Sequence, residues 1–282
     1  LKIYALLVFL LACLPLADGD IWWHLASARE MVQTKQLLFH DPFTFSTNNG
    51  PWINVHWLYQ LLIYIIYKSG GYWGILFGHA LLWASAAWVW VRAFRIQHVA
   101  WLWIFTPFLF SIRFLLLPRP LALTMLLLGL QWLTLTSKYS FPKKIILISL
   151  LQILLTNIQG LFLLGPALLT LASIYLAFSW KQSILFVGSS VLASIANPHG
   201  LSLLVYPWRL LQRLLPGNTF SSGVSENISP FKVLLNPHHF WQQQAVAIQA
   251  LFLALFTLYV IYWVYRNAHF RQSFPIVILL IL

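Results

Sequence analysis

Two carboxylates and an imidazole stand close together in Asp18-Gly19-Asp20-Ile21-Trp22-Trp23-His24. The chain holds only five Asp and Glu residues in all, so placing two of them here concentrates its acidity at one point. Paired carboxylates suit general-base chemistry: one takes a proton while the other tunes its charge or shares a cation. Asp20 is the candidate base and Asp18 its partner. A simpler alternative is that Asp20 opens a helix as its N-cap, because its carboxylate accepts from free backbone N–H groups. That reading leaves Asp18, and His24 one turn further on, without a role. A divalent ion held by Asp18, Asp20 and His24 is a third alternative. No tight metal spacing of the His-Glu-x-x-His kind accompanies it among His24, His56, His199, His238 and His239.

Other polar knots interrupt the apolar runs. Asn157-Ile158-Gln159-Gly160 and Asn197-Pro198-His199-Gly200 each end a span. Helix C-capping explains Gly160 and Gly200, and explains the amides and His199 less well. Arg113 and Arg119, with Pro118 and Pro120, lie between two spans. A lone Arg there snorkels to headgroups, whereas two near a carboxylate site suit a phosphate, whose oxygens match the guanidinium fork. Glu226 is the only acid of the last polar loop. The candidate substrate cavity is therefore His24, His56, Asn157, Gln159, Asn197, His199 and Glu226.

The composition decides what must position these residues. The chain of 282 residues is 60% hydrophobic and 8% charged, against about 25% charged in a soluble domain. This describes an all-α integral membrane protein, since the long apolar runs leave no room for the alternation of a membrane barrel. The net charge of +12 comes from basic residues in ones and twos between apolar runs, not from a continuous face, which excludes nucleic acid as the partner. The single Cys13 excludes disulfides and thiolate metal sites. The chain lacks an initiator Met and stops within the apolar run 274–282, which reads as a chain incomplete at both ends.

Candidate spans are 1–16, 72–91, 99–112, 120–136, 145–157, 161–179, 183–197, 244–265 and 274–282. Lysines and arginines prefer the cytoplasmic side. With Lys138, Lys143 and Lys144 inside, Arg92, Arg95, Lys181, Arg266 and Arg271 also fall inside. The knots and all five acids, Asp18, Asp20, Glu30, Asp41 and Glu226, fall outside. The count closes only if 53–68 does not cross. Its His56, Gln60, Tyr64 and Tyr67 make one polar stripe, as in a helix lying in the outer interface. The helix after Asp20 reads similarly, with Ile21, Leu25, Ala28 and Val32 on one side and His24, Ser27, Glu30 and Thr34 on the other. So does 201–215, with Ser202, Tyr206, Arg209 and Arg213 in one stripe. Turn chemistry at Asp41-Pro42 and Asn48-Asn49-Gly50-Pro51 separates the first two outer helices. The expectation is a single domain over 1–282, with a first outer loop at 17–71 and a second at 198–243.

In their order along the chain, these residues resemble the GT-C glycosyltransferases, and more closely a bacterial membrane family of that type. Asp18 to Leu25 resembles its Asp-x-Asp-x-Trp-Trp-His-Leu motif after the first span. Asp41-Pro42-Phe43-Thr44-Phe45-Ser46 and Trp52 to Gln60 resemble its next two stretches. Arg119-Pro120, Asn157 to Gly160 and Asn197-Pro198-His199-Gly200 match later landmarks. The resemblance covers about 16 to 230. Two departures stand out: Trp57 follows His56 where many relatives have Glu, and Gln159 stands where many have His.

The apolar runs make the expected fold a GT-C-like bundle of about nine transmembrane helices, and the resemblance implies a module of seven spans with two interfacial helices in the first outer loop. It implies a polyprenyl-phosphate-linked sugar as donor, used on the periplasmic or extracellular face of a bacterial inner membrane. It also implies that Asp20 activates the acceptor. Arg113, Arg119 and Arg209 are the candidates for the donor phosphate. Membrane lipids and other membrane subunits are the expected partners. Two alternatives stay open: a non-catalytic GT-C-like subunit of a larger complex, and a lipid or sugar transporter, although no inverted repeat is visible.

Overall fold

The computed structural model describes residues 2–13, 18–45, 50–93, 116–215 and the helical residues 251, 255 and 258. All elements among them are helices, apart from one isolated antiparallel bridge between His40 and Pro51. In chain order they are α1 (Lys2–Ala12), α2 (Asp20–Thr34), α3 (Trp57–Ala93), α4 (Leu121–Thr136), α5 (Phe141–Ile158), α6 (Leu164–Tyr175), α7 (Trp180–Ala193) and α8 (Ser202–Leu214). The chain divides into two compact units, one formed by 1–96 with 116–204 and the other by 97–115 with 205–282. The first holds α1 to α7 and every described contact discussed below, while α8 runs from its last residues into the second. The expected spans 99–112, 244–265 and 274–282 lie outside the described residues, except for the three single helical positions.

Among the described residues two helices, α3 and α5, are long and apolar enough to cross a membrane by length and composition. α3 is not straight. Gly71 has φ 56° and ψ −143°, a conformation open only to glycine, and the helix breaks there. The arm 57–70 folds back on the arm 72–93: a Cβ at Gly74 would lie 2.8 Å from the Ile66 carbonyl oxygen, and one at Gly78 would lie 3.3 Å from its side chain. The sequence therefore divides correctly between 53–68 and 72–91. The polar stripe does not face outward as expected, however. Gln60 is buried with Tyr59 and Ile63, and its Oε1 accepts from Asn54 Nδ2 at 2.8 Å. Buried amides must be paired, and Asn54 supplies the partner from the turn just before the helix.

Contacts along the helices fix their directions. His79 meets the Leu116 carbonyl and Trp90 Nε1 donates to the Met125 carbonyl, so the second arm of α3 runs parallel to α4. Lys144 donates to the Leu135 carbonyl, Gln131 to Gln152 and Thr124 to Gln159, so α5 runs back antiparallel to α4. α7 runs alongside α5 in the same direction, through Gln152 to Ser194 and Asn157 to the Ala196 carbonyl. Arg92, Lys138, Lys143, Lys144 and Lys181 therefore gather toward one end of this bundle. Asp18, Asp20, His56, Arg119, Asn157 and Asn197 gather at the other. Lys144 also stabilises the end of α4, where exposed carbonyls attract a cation.

A buried amide layer joins α4, α5 and α7. Gln152 Nε2 donates to the Phe162 carbonyl at 3.0 Å and Ser194 Oγ at 2.9 Å, with Thr156 Oγ1 at 3.4 Å. Gln131 Nε2 donates to Gln152 Oε1 at 3.1 Å, and both glutamines are 0% exposed. Gly165 makes room for this layer, because a Cβ there would run into Gln152 Oε1.

Candidate functional site

α2 begins at Asp20, but Asp20 does not cap it. The N-cap is Gly19, which makes no side-chain cap. Asp18, one residue earlier, does that work: its Oδ1 accepts from the Asp20 backbone N–H at 3.2 Å. The alternative of Asp20 as N-cap is thus set aside: Gly19 stands at that position, and the side-chain acceptor for the first helical N–H is Asp18. Capping occupies only part of the Asp18 carboxylate. Arg119 Nε donates to Asp18 Oδ2 at 2.6 Å and Nη2 to Oδ1 at 3.3 Å, a two-pronged pair between residues far apart in sequence. Arg119 Nη2 also lies 3.4 Å from Asp20 Oδ2. The Asp18 side chain is 6% exposed and that of Asp20 is 59% exposed. One carboxylate is sealed in and the other faces out.

Burial pushes the Asp18 carboxyl up. The hydrogen bonds from Arg119 and from the Asp20 N–H, with the Arg119 charge, outweigh burial and hold it below the usual carboxylate range. Asp18 is therefore ionised at neutral pH and unsuited to taking a proton there.

Arg119 is presented by a fixed segment. Its N–H donates to the Leu117 carbonyl at 2.7 Å, the Tyr59 hydroxyl donates to the Pro118 carbonyl at 2.8 Å, and the Pro120 carbonyl accepts from Thr124 at the start of α4. Tyr59 leads to the imidazoles. The His24 ring packs edge-on against Tyr59 at 5.0 Å and against His56 at 5.4 Å between centroids. Burial lowers the His24 pKa to about 4, with Asp18 opposing and Arg119 adding to the fall. Burial, then His24, lowers that of His56 to about 3. Both imidazoles are neutral at pH 7.

His24 reaches this place because the buried face of α2 is rotated from the expected one. Ile21, Leu25 and Ala28 are buried as expected, but so are Ser27 and Met31, while Val32 is 50% exposed. Ser27 hides its hydroxyl by donating to the Trp23 carbonyl at 2.9 Å, which lets a polar residue take a buried position. The rotation toward Ser27 and Met31 carries His24 inward.

The remaining knots are clasps. Asn157 Oδ1 accepts from Trp57 Nε1 at 2.9 Å, and its Nδ2 donates to the Ile153 and Ala196 carbonyls, both at 2.8 Å. Asn197 Nδ2 donates to the Ser194 and Gly200 carbonyls, and its Oδ1 accepts from the His199 N–H at 2.8 Å. These two amides are used in tying α3, α5 and α7 together and in shaping the turn at Gly200, where φ is 53°. Gln159 Oε1 accepts from Thr124 Oγ1 at 2.5 Å. The His199 ring packs on Phe39 at 5.3 Å, and burial lowers its pKa.

Phe39 belongs to a loop closed at its base. Trp52 N donates to the Phe39 carbonyl and Asp41 N to the Gly50 carbonyl, as the turn residues around Asp41-Pro42 and Gly50-Pro51 foretell. Asp41 Oδ1 accepts from the Phe43 and Thr44 N–H groups, and Phe43 packs on Trp23 at 4.7 Å.

Asp18, Asp20, Arg119, His24, His56, Asn157 and His199 are thus linked by continuous contacts at one bundle end. Tyr59, Trp57 and Phe39 supply the links, and sequence reading missed them because aromatic residues are everywhere in this chain. Arg209 is exposed on α8. Arg113 and Glu226 lie outside the described residues.

Among the described residues no group of three or more His, Cys, Asp and Glu is arranged to hold a metal ion. Asp18, Asp20 and His24 do not make such a set, because Arg119 takes the Asp18 oxygens a cation would need. Comparison with family models, curated proteins and solved structures finds no match to this chain.

Proposed function

We propose that the chain is a GT-C-type membrane glycosyltransferase, moving a sugar from a polyprenyl-phosphate donor to an acceptor hydroxyl on the outer face of a bacterial inner membrane. The observation that carries this reading is an exposed carboxylate, Asp20, held beside a buried carboxylate–guanidinium pair at the end of the bundle opposite the lysines. The two apolar helices α3 and α5 support a membrane setting. Under the preference of Lys and Arg for the cytoplasm, the lysine end faces inward and Asp20 outward. A bundle of about nine spans, with the arm 57–70 and α2 at the outer interface, is the architecture that goes with this reading.

In the reaction, Asp20 takes the proton of the acceptor hydroxyl as its oxygen forms a bond to the anomeric carbon. The bond from that carbon to the phosphate oxygen breaks through an oxocarbenium-like state, and polyprenyl phosphate leaves. His24 and His56, neutral and half-buried, are suited to hydrogen-bonding sugar or acceptor hydroxyls. The leaving phosphate calls for a cation, the role that the resemblance suggests for Arg113 and Arg209.

The test is transfer from a polyprenyl-phosphate sugar by membranes carrying the wild-type chain and Asp20→Asn. Transfer by the wild type that collapses in the variant supports the reading. Full transfer by Asp20→Asn removes Asp20 as base. Absence of transfer by the wild type with every such donor favours a non-catalytic subunit.

A further inference from the structure

We infer that Arg119 is a positioning residue for the two carboxylates and not the ligand of the donor phosphate. The inference rests on the transferase reading above and changes the role that the sequence suggests for this arginine. Three observations carry it. Nε and Nη2 of Arg119 grip both oxygens of Asp18, at 2.6 and 3.3 Å, on a side chain that is 6% exposed. A phosphate could claim this fork only by displacing a buried carboxylate, and a buried charge left without its partner is strongly unfavourable. The same guanidinium also stands against the second carboxylate, with Nη2 at 3.4 Å from Asp20 Oδ2, so both described acids of the cluster share it.

The contacts form a relay toward Asp20. The segment Leu117 to Pro120 is fixed by Tyr59 and by the start of α4. It sets Arg119, which sets Asp18, whose Oδ1 then holds the backbone N–H of Asp20 at 3.2 Å. Arg119 Nη2 finally touches Asp20 Oδ2 at 3.4 Å. The reacting carboxylate is thus aimed from two sides, through its own backbone and through its side chain. In this role Arg119 contacts the base carboxylate and not the donor phosphate.

The two roles separate in a binding and rate experiment on the full chain in lipid nanodiscs. Farnesyl phosphate is the binding probe, and a polyprenyl-phosphate sugar is the substrate. If Arg119 positions, Arg119→Gln keeps farnesyl phosphate affinity and donor KM within about twofold of wild type, while kcat falls at least about tenfold. Asp18→Asn gives a similar kcat loss, and the double variant is no worse than either single one, because the two residues act as a unit. Arg119→Lys, which keeps the charge without the fork, recovers part of kcat. An affinity loss of about tenfold or more in Arg119→Gln, shared by donor KM, overturns the inference. The unfolding temperature of each variant is recorded, and Arg119→Lys decides the matter if Arg119→Gln does not fold. If the wild-type chain transfers nothing, the transferase reading fails. The affinities alone then decide, with unchanged affinity keeping Arg119 off the phosphate and a tenfold loss putting it there.

Discussion

Two polar regions of this chain solve the same problem in opposite ways. In the amide layer, Gln131 Nε2, Gln152, Thr156 and Ser194 turn toward one another and toward the Phe162 carbonyl, shielded from solvent, with Gln131 Oε1 the one amide oxygen of the layer left unpaired. At the bundle end, Asp18 and Arg119 pair in the same inward manner, but Asp20 is left facing out with a charge the pair does not cancel. A polar group used internally holds helices together. A polar group left open, beside others that fix its position, is placed to act on something else. In a chain this apolar, the distinction separates scaffold from site better than residue type does, since Asn157 and Asn197 looked like site residues and are clasps.

The sharpest way to break this contrast is Asp20→Asn. The site reading expects transfer to fall about 100- to 10,000-fold, the usual range for a lost general base. Stability should stay near wild type, because Asp20 is exposed and Asp18 already holds the start of the helix. A large fall in unfolding temperature would instead make Asp20 a scaffold residue.

The amide layer should behave in the reverse manner. Gly165→Ala forces a methyl into Gln152 and should destabilise the protein by about 1–3 kcal/mol, the range for overpacking. Gln152→Ala in the same chain removes the clash. Denaturation of the two single variants and the pair should show the combined loss well below the sum. Simple additivity would mean that the close approach is not what makes Gly165 necessary.

Asn157→Ala leaves the Trp57 indole N–H and the Ala196 carbonyl without their partner and should cost about 1–3 kcal/mol. Affinity for donor and acceptor should change little in the surviving folded protein. A selective loss of substrate binding with normal stability would return Asn157 to the site.

Acid should reach the site before it reaches the layer. His24 and His56 are held neutral in the folded chain, with pKa values of about 4 and 3, while the unfolded chain protonates them near 6.5. The unfolded state binds more protons, so their contribution is complete above about pH 6.5 and falls as pH drops through the window below it. At pH 5 the loss is at most about 2 kcal/mol per imidazole. The Asp18–Arg119 contribution, from a depressed carboxyl, is lost only below the usual carboxylate range. Unfolding temperature against pH should therefore decline in two stages, and His56→Gln should flatten the first. The smallest effect is Arg209→Ala, an exposed change expected to alter stability by no more than about 0.5 kcal/mol.

The all-helical class and the helices after 72, 120, 145, 161 and 183 were legible because apolar runs and their polar interruptions mark element ends directly. Asp18, Asp20 and His24 were legible because acids are so scarce here that two together demand a reason. Side-chain direction was less so. The stripe at Gln60 and the face of α2 at Ser27 and Val32 were misread, because periodicity gives the angle between residues but not which face meets a neighbour. The partner of Arg119 was also hidden. A guanidinium suits carboxylate and phosphate equally, and only the fold brings Asp18 within 2.6 Å.

The break at Gly71 bears on how this chain fits a bilayer. A continuous helix of 37 residues would measure about 55 Å, against about 30 Å of hydrocarbon. The break at Gly71 divides that length and leaves the arm 72–93, which by itself is long enough for a crossing. Because the break needs a positive φ, any other residue at 71 is strained. Straightening the helix would carry Tyr59, and the Pro118–Arg119 turn its hydroxyl holds, away from the carboxylates. A single glycine thus sets where Tyr59 and the Pro118–Arg119 turn stand along the bundle.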